Sequence, residues 1–98
     1  MSKTVRAQII WTSVEDGGRK TILPVGMRYC PILVFDDEQC GDTLWSAAVY
    51  NKEINKRQTI ADISYMADDA PHQLLQSGKK FFLFEGQQVV GEGIVCAD

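Results

Sequence analysis

Cys30, Cys40, Cys96 and the single histidine, His72, are the side chains of this sequence with the most chemistry to offer. A cysteine nucleophile needs a base within hydrogen-bond reach, so Cys30 or Cys96 paired with His72 is the constellation a small cysteine-dependent enzyme would use. No local motif surrounds either cysteine. The three thiols are odd in number and lack a CxxC pair, which reads as free cysteines in a reducing compartment. Structural zinc takes four Cys or His ligands in paired spacing, so no metal is expected. Asp36-Asp37-Glu38 and Asp68-Asp69 are adjacent in sequence within turn-like segments. Catalytic carboxylates must instead face each other across a site, so these read as solvated loops. Gly18-Arg19-Lys20-Thr21 and Gly78-Lys79-Lys80 both fall short of the GxxxxGK[ST] phosphate loop. The expectation is a chain that is not an enzyme and takes no cofactor.

Charge and composition narrow the remaining classes. Thirteen acidic residues against ten basic ones leave a net charge of −3, where strong sequence-independent nucleic-acid binding calls for a basic excess or stripe. At 98 residues, with 45% hydrophobic and 23% charged positions, the chain has the composition of one ordinary globular domain spanning residues 1–98. Its apolar runs are too short to span a bilayer, and no basic amphipathic helix is visible, so no membrane partner is expected. The start, Met1-Ser2-Lys3-Thr4-Val5-Arg6, has no apolar secretory block and implies a cytoplasmic location.

The elements that must position these residues are strands. Lys79 to Val95 holds two apolar runs about a Gly-Gln-Gln break and reads as a β-hairpin. Gly91 and Gly93 leave one face of its second strand bare, so that a neighbouring element or ligand can approach closely in a curved sheet. From Val5 to Ser13 the alternation puts Val5, Ala7, Ile9 and Trp11 on one face, and Ile10 breaks it. Glu15 to Arg19 is a turn cluster in which two glycines can take positive φ. Arg28 to Phe35 reads as a strand whose Pro31 suits an edge, bulge or barrel corner. Leu44–Tyr50 and Thr59–Met66 are further strand candidates separated by 51–57, with Thr59, Ala61, Ile63 and Tyr65 inward; Ala47-Ala48 also admits a helix. Ala70 to Gly78 predicts a short turn of helix. Strands at Lys80–Glu85 and Val89–Cys96 bring the total to six. That pattern predicts an all-β fold, a compact barrel or sandwich, and closure would remove exposed edges. Trp11 and Trp45 read as core or rim packing.

The two ends of the chain together resemble the C-terminal domain of elongation factor Tu and related translation GTPases. Gly17-Gly18-Arg19-Lys20-Thr21 followed by Gly26-Met27-Arg28 is similar to the family's Gly-Gly-Arg-His-Thr turn and Gly-Tyr-Arg-Pro segment, with Pro31 displaced downstream. Lys80-Phe81-Phe82-Leu83-Phe84-Glu85-Gly86 and Val90-Gly91-Glu92-Gly93-Ile94-Val95 are similar to its Arg-Phe-Ala-Ile-Arg-Glu-Gly and Val-Gly-Ala-Gly-Val-Val stretches. These segments cover about half the chain, in the family's order and spacing. The resemblance implies a six-stranded antiparallel β-barrel. It also implies an RNA-facing turn, since the family's barrel helps hold the T arm of transfer RNA. By position, Gly18, Arg19, Lys20 and Thr21, with Arg28 nearby, would contact tRNA or another RNA through phosphates and 2′-hydroxyls.

Phe82 and Phe84 depart from the family, which has Ala and Arg there. On a pleated strand they share the face opposite Phe81 and Leu83. If Phe81 and Leu83 fill the barrel, Phe82 and Phe84 meet solvent, another segment or a partner, and aromatic pairs of this kind are enriched at interfaces. The expected function is therefore a non-catalytic module that binds a protein partner or another copy of itself, with RNA contact and cysteine catalysis as the alternatives.

Overall fold

The computed structural model describes residues 4–18, 22, 24–36, 44–70 and 72–96. Seven strands occur in it: β1 (Thr4–Trp11), β2 (Arg28–Tyr29), β3 (Ile32–Phe35), β4 (Trp45–Asn55), β5 (Gln58–Tyr65), β6 (Lys80–Glu85) and β7 (Gln88–Val95). All pair antiparallel, in the order β4-β3-β6-β7-β1-β5, and β5 returns to β4. The sheet is a closed six-stranded antiparallel barrel with β2 as an extra strand. β2 lies on the same partner as β3: Arg28 faces Tyr50 and Tyr29 faces Val49, then Ile32 faces Ser46 and Leu33 faces Trp45. The expected strand Arg28–Phe35 is thus one line interrupted at Cys30-Pro31. Proline has no N–H to give the ladder, but its carbonyl still accepts the Ala47 N–H at 2.8 Å.

The inward set follows the alternation. Ala7, Ile9 and Trp11 are buried from β1; Thr59, Ala61, Ile63 and Tyr65 from β5; Phe81 and Leu83 from β6. Each glycine of β7 sits opposite a core aromatic. Trp11 is the register partner of Gly91, and Phe81 that of Gly93. A Cβ on Gly91 would stand 3.0 Å from the Trp11 ring, and one on Gly93 only 2.6 Å from Phe81 Cζ. The close approach expected at these glycines is made by the barrel's own rings. Trp11 Nε1 donates to Thr59 Oγ1 at 2.9 Å, which pairs the buried indole N–H inside the barrel. Trp45 is half-buried and packs against the same core.

Both ends of the barrel are closed by connections. Between β5 and β6, a single 3₁₀ turn (His72–Leu74) matches the predicted short helical segment and leads into Leu75, which is 1% exposed, while Ala70 is also buried. At the other end a 3₁₀ turn (Val14–Asp16) is capped by Ser13, whose hydroxyl accepts the Asp16 N–H, and stops at Gly17 with φ 94°. Only Gly17 of the expected glycine pair uses positive φ. Gly18 is demanded by crowding, since a Cβ there would stand 1.8 Å from the Thr12 carbonyl oxygen.

One boundary differs from expectation. Residues 51–57 do not separate two strands: β4 continues to Asn55, and only Lys56-Arg57 form the turn. A bulge hides the pattern, because Asn51 faces Ala61 while Glu53 faces Ile60, leaving Lys52 extra. The Ala47-Ala48 pair is strand. Among the described residues no helix is long and apolar enough to cross a membrane.

Two substitutions test this packing. Gly93→Ala forces its methyl against Phe81 and the Gln8 carbonyl, and is expected to lower stability by about 1–3 kcal/mol, read from the urea midpoint. Lys56 takes φ 59° at the same hairpin position where Gly86 takes φ 60°, so Lys56→Gly is expected to raise stability by about 0.5–1 kcal/mol.

Candidate protein-interaction surface

With Phe81 and Leu83 at 0% exposure inside the barrel, the pleat turns Phe82 and Phe84 outward, where both are half-buried. Cross-strand register shows what lies beside them. Ile32, Phe84 and Val89 form one row across β3, β6 and β7. Val34, Phe82, Glu92 and Ile10 form the next, reaching β1, and Lys80, Ile94 and Gln8 the third. Ile10 and Ile94 are 47% and 44% exposed. Adjacent strands lie about 4.8 Å apart, so the four strands carry this apolar wall across roughly 14 Å. Between β6, β7 and β1 the wall forms a groove lined by Gln8, Ile10, Lys80, Glu92, Gly93 and Ile94. Lys80 Nζ stands 5.5 Å from the Phe82 ring centre, so the aromatic face also has a cation beside it.

The opposite wall is built differently. On the outside of β1, β5 and β4, Asp62 lies between Arg6 at 3.3 Å and Lys52 at 3.6 Å. These pairs stand in solvent and contribute little to stability, and they share that wall with the outward Tyr50 and Ile60. The wall around Phe82 is set apart by its two outward phenylalanines, with the exposed Ile10 and Ile94 beside them.

No family model and no curated protein matches the chain. The site must therefore be judged on its own residues.

The RNA-facing candidates are only partly in view. Arg19, Lys20 and Thr21 lie outside the described residues. Gly18 is half-buried, and Arg28 is exposed at the start of β2. Around Gly18 the described groups are mixed: Glu85, Gln88 and Val90 line a depression with Gly17 and Gly18, Glu15 and Asp16 are exposed on the adjoining turn, and Arg57 donates to the Thr12 carbonyl against which Gly18 packs. The Tyr29 hydroxyl donates to the Glu85 carboxylate, and the Tyr29 ring lies 5.8 Å from that of Trp11.

The cysteine–histidine pair is not brought together. His72 Nε2 reaches the carbonyl oxygens of Ala67 at 3.0 Å and Asp68 at 3.1 Å. Two acceptors there assign the proton to Nε2, and the ring serves as a strut for the β5–β6 connection, edge-on to Tyr65. Among the described residues Nδ1 is buried without a hydrogen-bond partner, so neither Cys30 nor Cys96 meets it. Cys30 is exposed, Cys96 half-buried, and both are free thiols; Cys40 lies outside the described residues. Asp36, Asp68 and Asp69 are exposed, as expected of loops, and Asp37 and Glu38 are outside the described residues. Among the described residues no three His, Cys, Asp or Glu converge on a point where a metal could bind.

The pleat alone set Phe82 and Phe84 outward, but nothing in the linear sequence placed Ile32, Val34, Val89, Glu92 or Ile94 near them. The one unused signal was Ile10, the residue that broke the alternation of β1. Ile10 stands outward in the row that runs through Glu92 to Phe82.

The inward and outward assignments separate by stability. Phe81→Ala is expected to cost about 3–5 kcal/mol, whereas Phe82→Ala on the next residue costs about 1 kcal/mol or less, compared by chemical denaturation.

Proposed function

We propose that this barrel is a non-catalytic protein-interaction module that docks a protein partner on the wall around Phe82 and Phe84. The observation that carries the reading is the apolar character of that wall. Where the resembling family has Ala and Arg, this chain presents two aromatics, and β3, β7 and β1 extend them with Ile32, Val34, Val89, Ile10 and Ile94. Aromatic side chains of this kind supply the buried centre of an interface, with polar groups at the rim.

The same reading makes the chain a relative of the elongation factor Tu C-terminal domain, working in the cytoplasm. The likeness of the two chain ends supports the first, and the free thiols of Cys30 and Cys96 support a reducing compartment. RNA contact through Gly18 and Arg28 is the weaker reading, because among the described charges around that turn the carboxylates of Glu15, Asp16 and Glu85 outnumber the one nearby cation, Arg57.

Phe84→Arg tests the proposal by restoring the family's residue type at a half-buried outward position. The variant is expected to keep its far-UV circular dichroism and lose the binding partners that the immobilised wild-type chain retains. An identical set of retained proteins on both baits would remove this wall as the docking surface.

A further inference from the structure

We infer that the partner on this wall is a second copy of the chain, packed across a two-fold axis lying along the Phe82–Ile94 diagonal. The inference rests on the proposed docking surface and names its occupant.

Four outward residues of the β6–β7 hairpin stand at the corners of a quadrilateral. Lys80 is the register partner of Ile94, and Phe82 that of Glu92. Neighbouring corners are about 4.8 Å apart across the strands and roughly 6.8 Å apart along them. One diagonal is apolar, Phe82 to Ile94. The other joins opposite charges, Lys80 to Glu92. Among the described residues neither charged side chain has an ion-pair or hydrogen-bonding partner; Lys80 has only the Phe82 ring.

A two-fold contact requires that whenever residue i meets residue j, j also meets i. With the axis along the apolar diagonal, Phe82 meets Phe82 and Ile94 meets Ile94 of the second copy. The remaining corners cross the axis to within about 3 Å of each other's places, a gap that a lysine side chain spans, so each Lys80 meets a Glu92 of the other copy. Two ion pairs form around an apolar centre, and both charges left without partners in one copy are satisfied. No other placement of the axis on these four residues pairs both charges.

Charge also favours this face for self-contact. The chain carries a net −3, so two copies repel unless the surfaces that meet are locally neutral. One lysine and one glutamate make this patch neutral, and its apolar residues tolerate desolvation. The wall is small, which sets the strength of the contact at the weak end, with Kd in the micromolar range or above.

The test is sedimentation equilibrium of the full chain from about 10 μM to about 1 mM, with charge reversals. Wild type is expected to pass from monomer to dimer across this range. Lys80→Glu sets glutamate against glutamate twice, and Glu92→Lys sets lysine against lysine twice, so each is expected to weaken the dimer at least about tenfold. The double variant Lys80→Glu/Glu92→Lys restores both pairs and is expected to return to within about threefold of wild type. Both positions are exposed, so unchanged far-UV circular dichroism is expected throughout. A chain that stays monomeric to the highest concentration, single reversals without effect, or a double variant as weak as the singles would each overturn the inference. A monomer that still captures a different protein in a Phe84-dependent way refutes the second copy and leaves the docking wall standing; loss of both refutes both.

Discussion

Two aromatic rings laid over two glycines hold this barrel together. A six-stranded barrel has a narrow interior, and Trp11 and Phe81 fit inside because Gly91 and Gly93 opposite them carry no side chain. The pairing fixes which face of β6 points inward. Once Phe81 and Leu83 are committed to the core, Phe82 and Phe84 have no interior to enter. The outer aromatic wall is thus a consequence of the same packing that closes the barrel.

Every barrel strand has a neighbour on both sides along part of its length, and the two ends are sealed by elements that pack rather than dangle. Leu75 and Ala70 enter from the β5–β6 connection, which His72 ties to the Ala67 and Asp68 carbonyls. At the far end, Tyr29 tilts against Trp11, and Arg57 donates to the Thr12 carbonyl at 2.9 Å. The tip of the β4–β5 hairpin extends past the pairing of β4 with β2, and there the strand carries Lys52 and Glu53, charges that discourage edge-to-edge association. On the wall face, side chains rather than backbone groups make the surface.

Much of this was legible in the sequence where period-two alternation was clean. β1, β5 and β6 show their inward sets directly, and the short helical turn near residue 72 follows from its flanking residues. The far half of β4 was not legible, because the Lys52 bulge shifts its phase and its side chains have no core to alternate against. Nor could a linear reading show that Pro31 divides one strand into β2 and β3 while the line of pairing on β4 continues. For the surface, Phe82 and Phe84 were legible from the pleat alone. Their neighbours were not, since Val34 and Glu92 become adjacent to Phe82 only through cross-strand register.

The register of β6 against β7 links the core to the surface. The two-residue turn Gly86-Gln87 fixes Glu85 opposite Gln88 and Phe84 opposite Val89. Continued without interruption, that register would place Phe82 opposite Gly91 and Phe81 opposite Glu92. A carboxylate would then face the barrel interior, at a cost of several kcal/mol, and the glycines would be wasted on the outside. The structure avoids this with one extra residue, Val90, between Val89 and Gly91, and the strand bends there as the barrel requires. The bulge brings Gly91 under Trp11 and Gly93 under Phe81. In the same step it turns Glu92 outward beside Phe82 and Ile94 outward beside Lys80. One inserted residue therefore sets both the packing of the core and the alternation of apolar and charged groups on the outer wall.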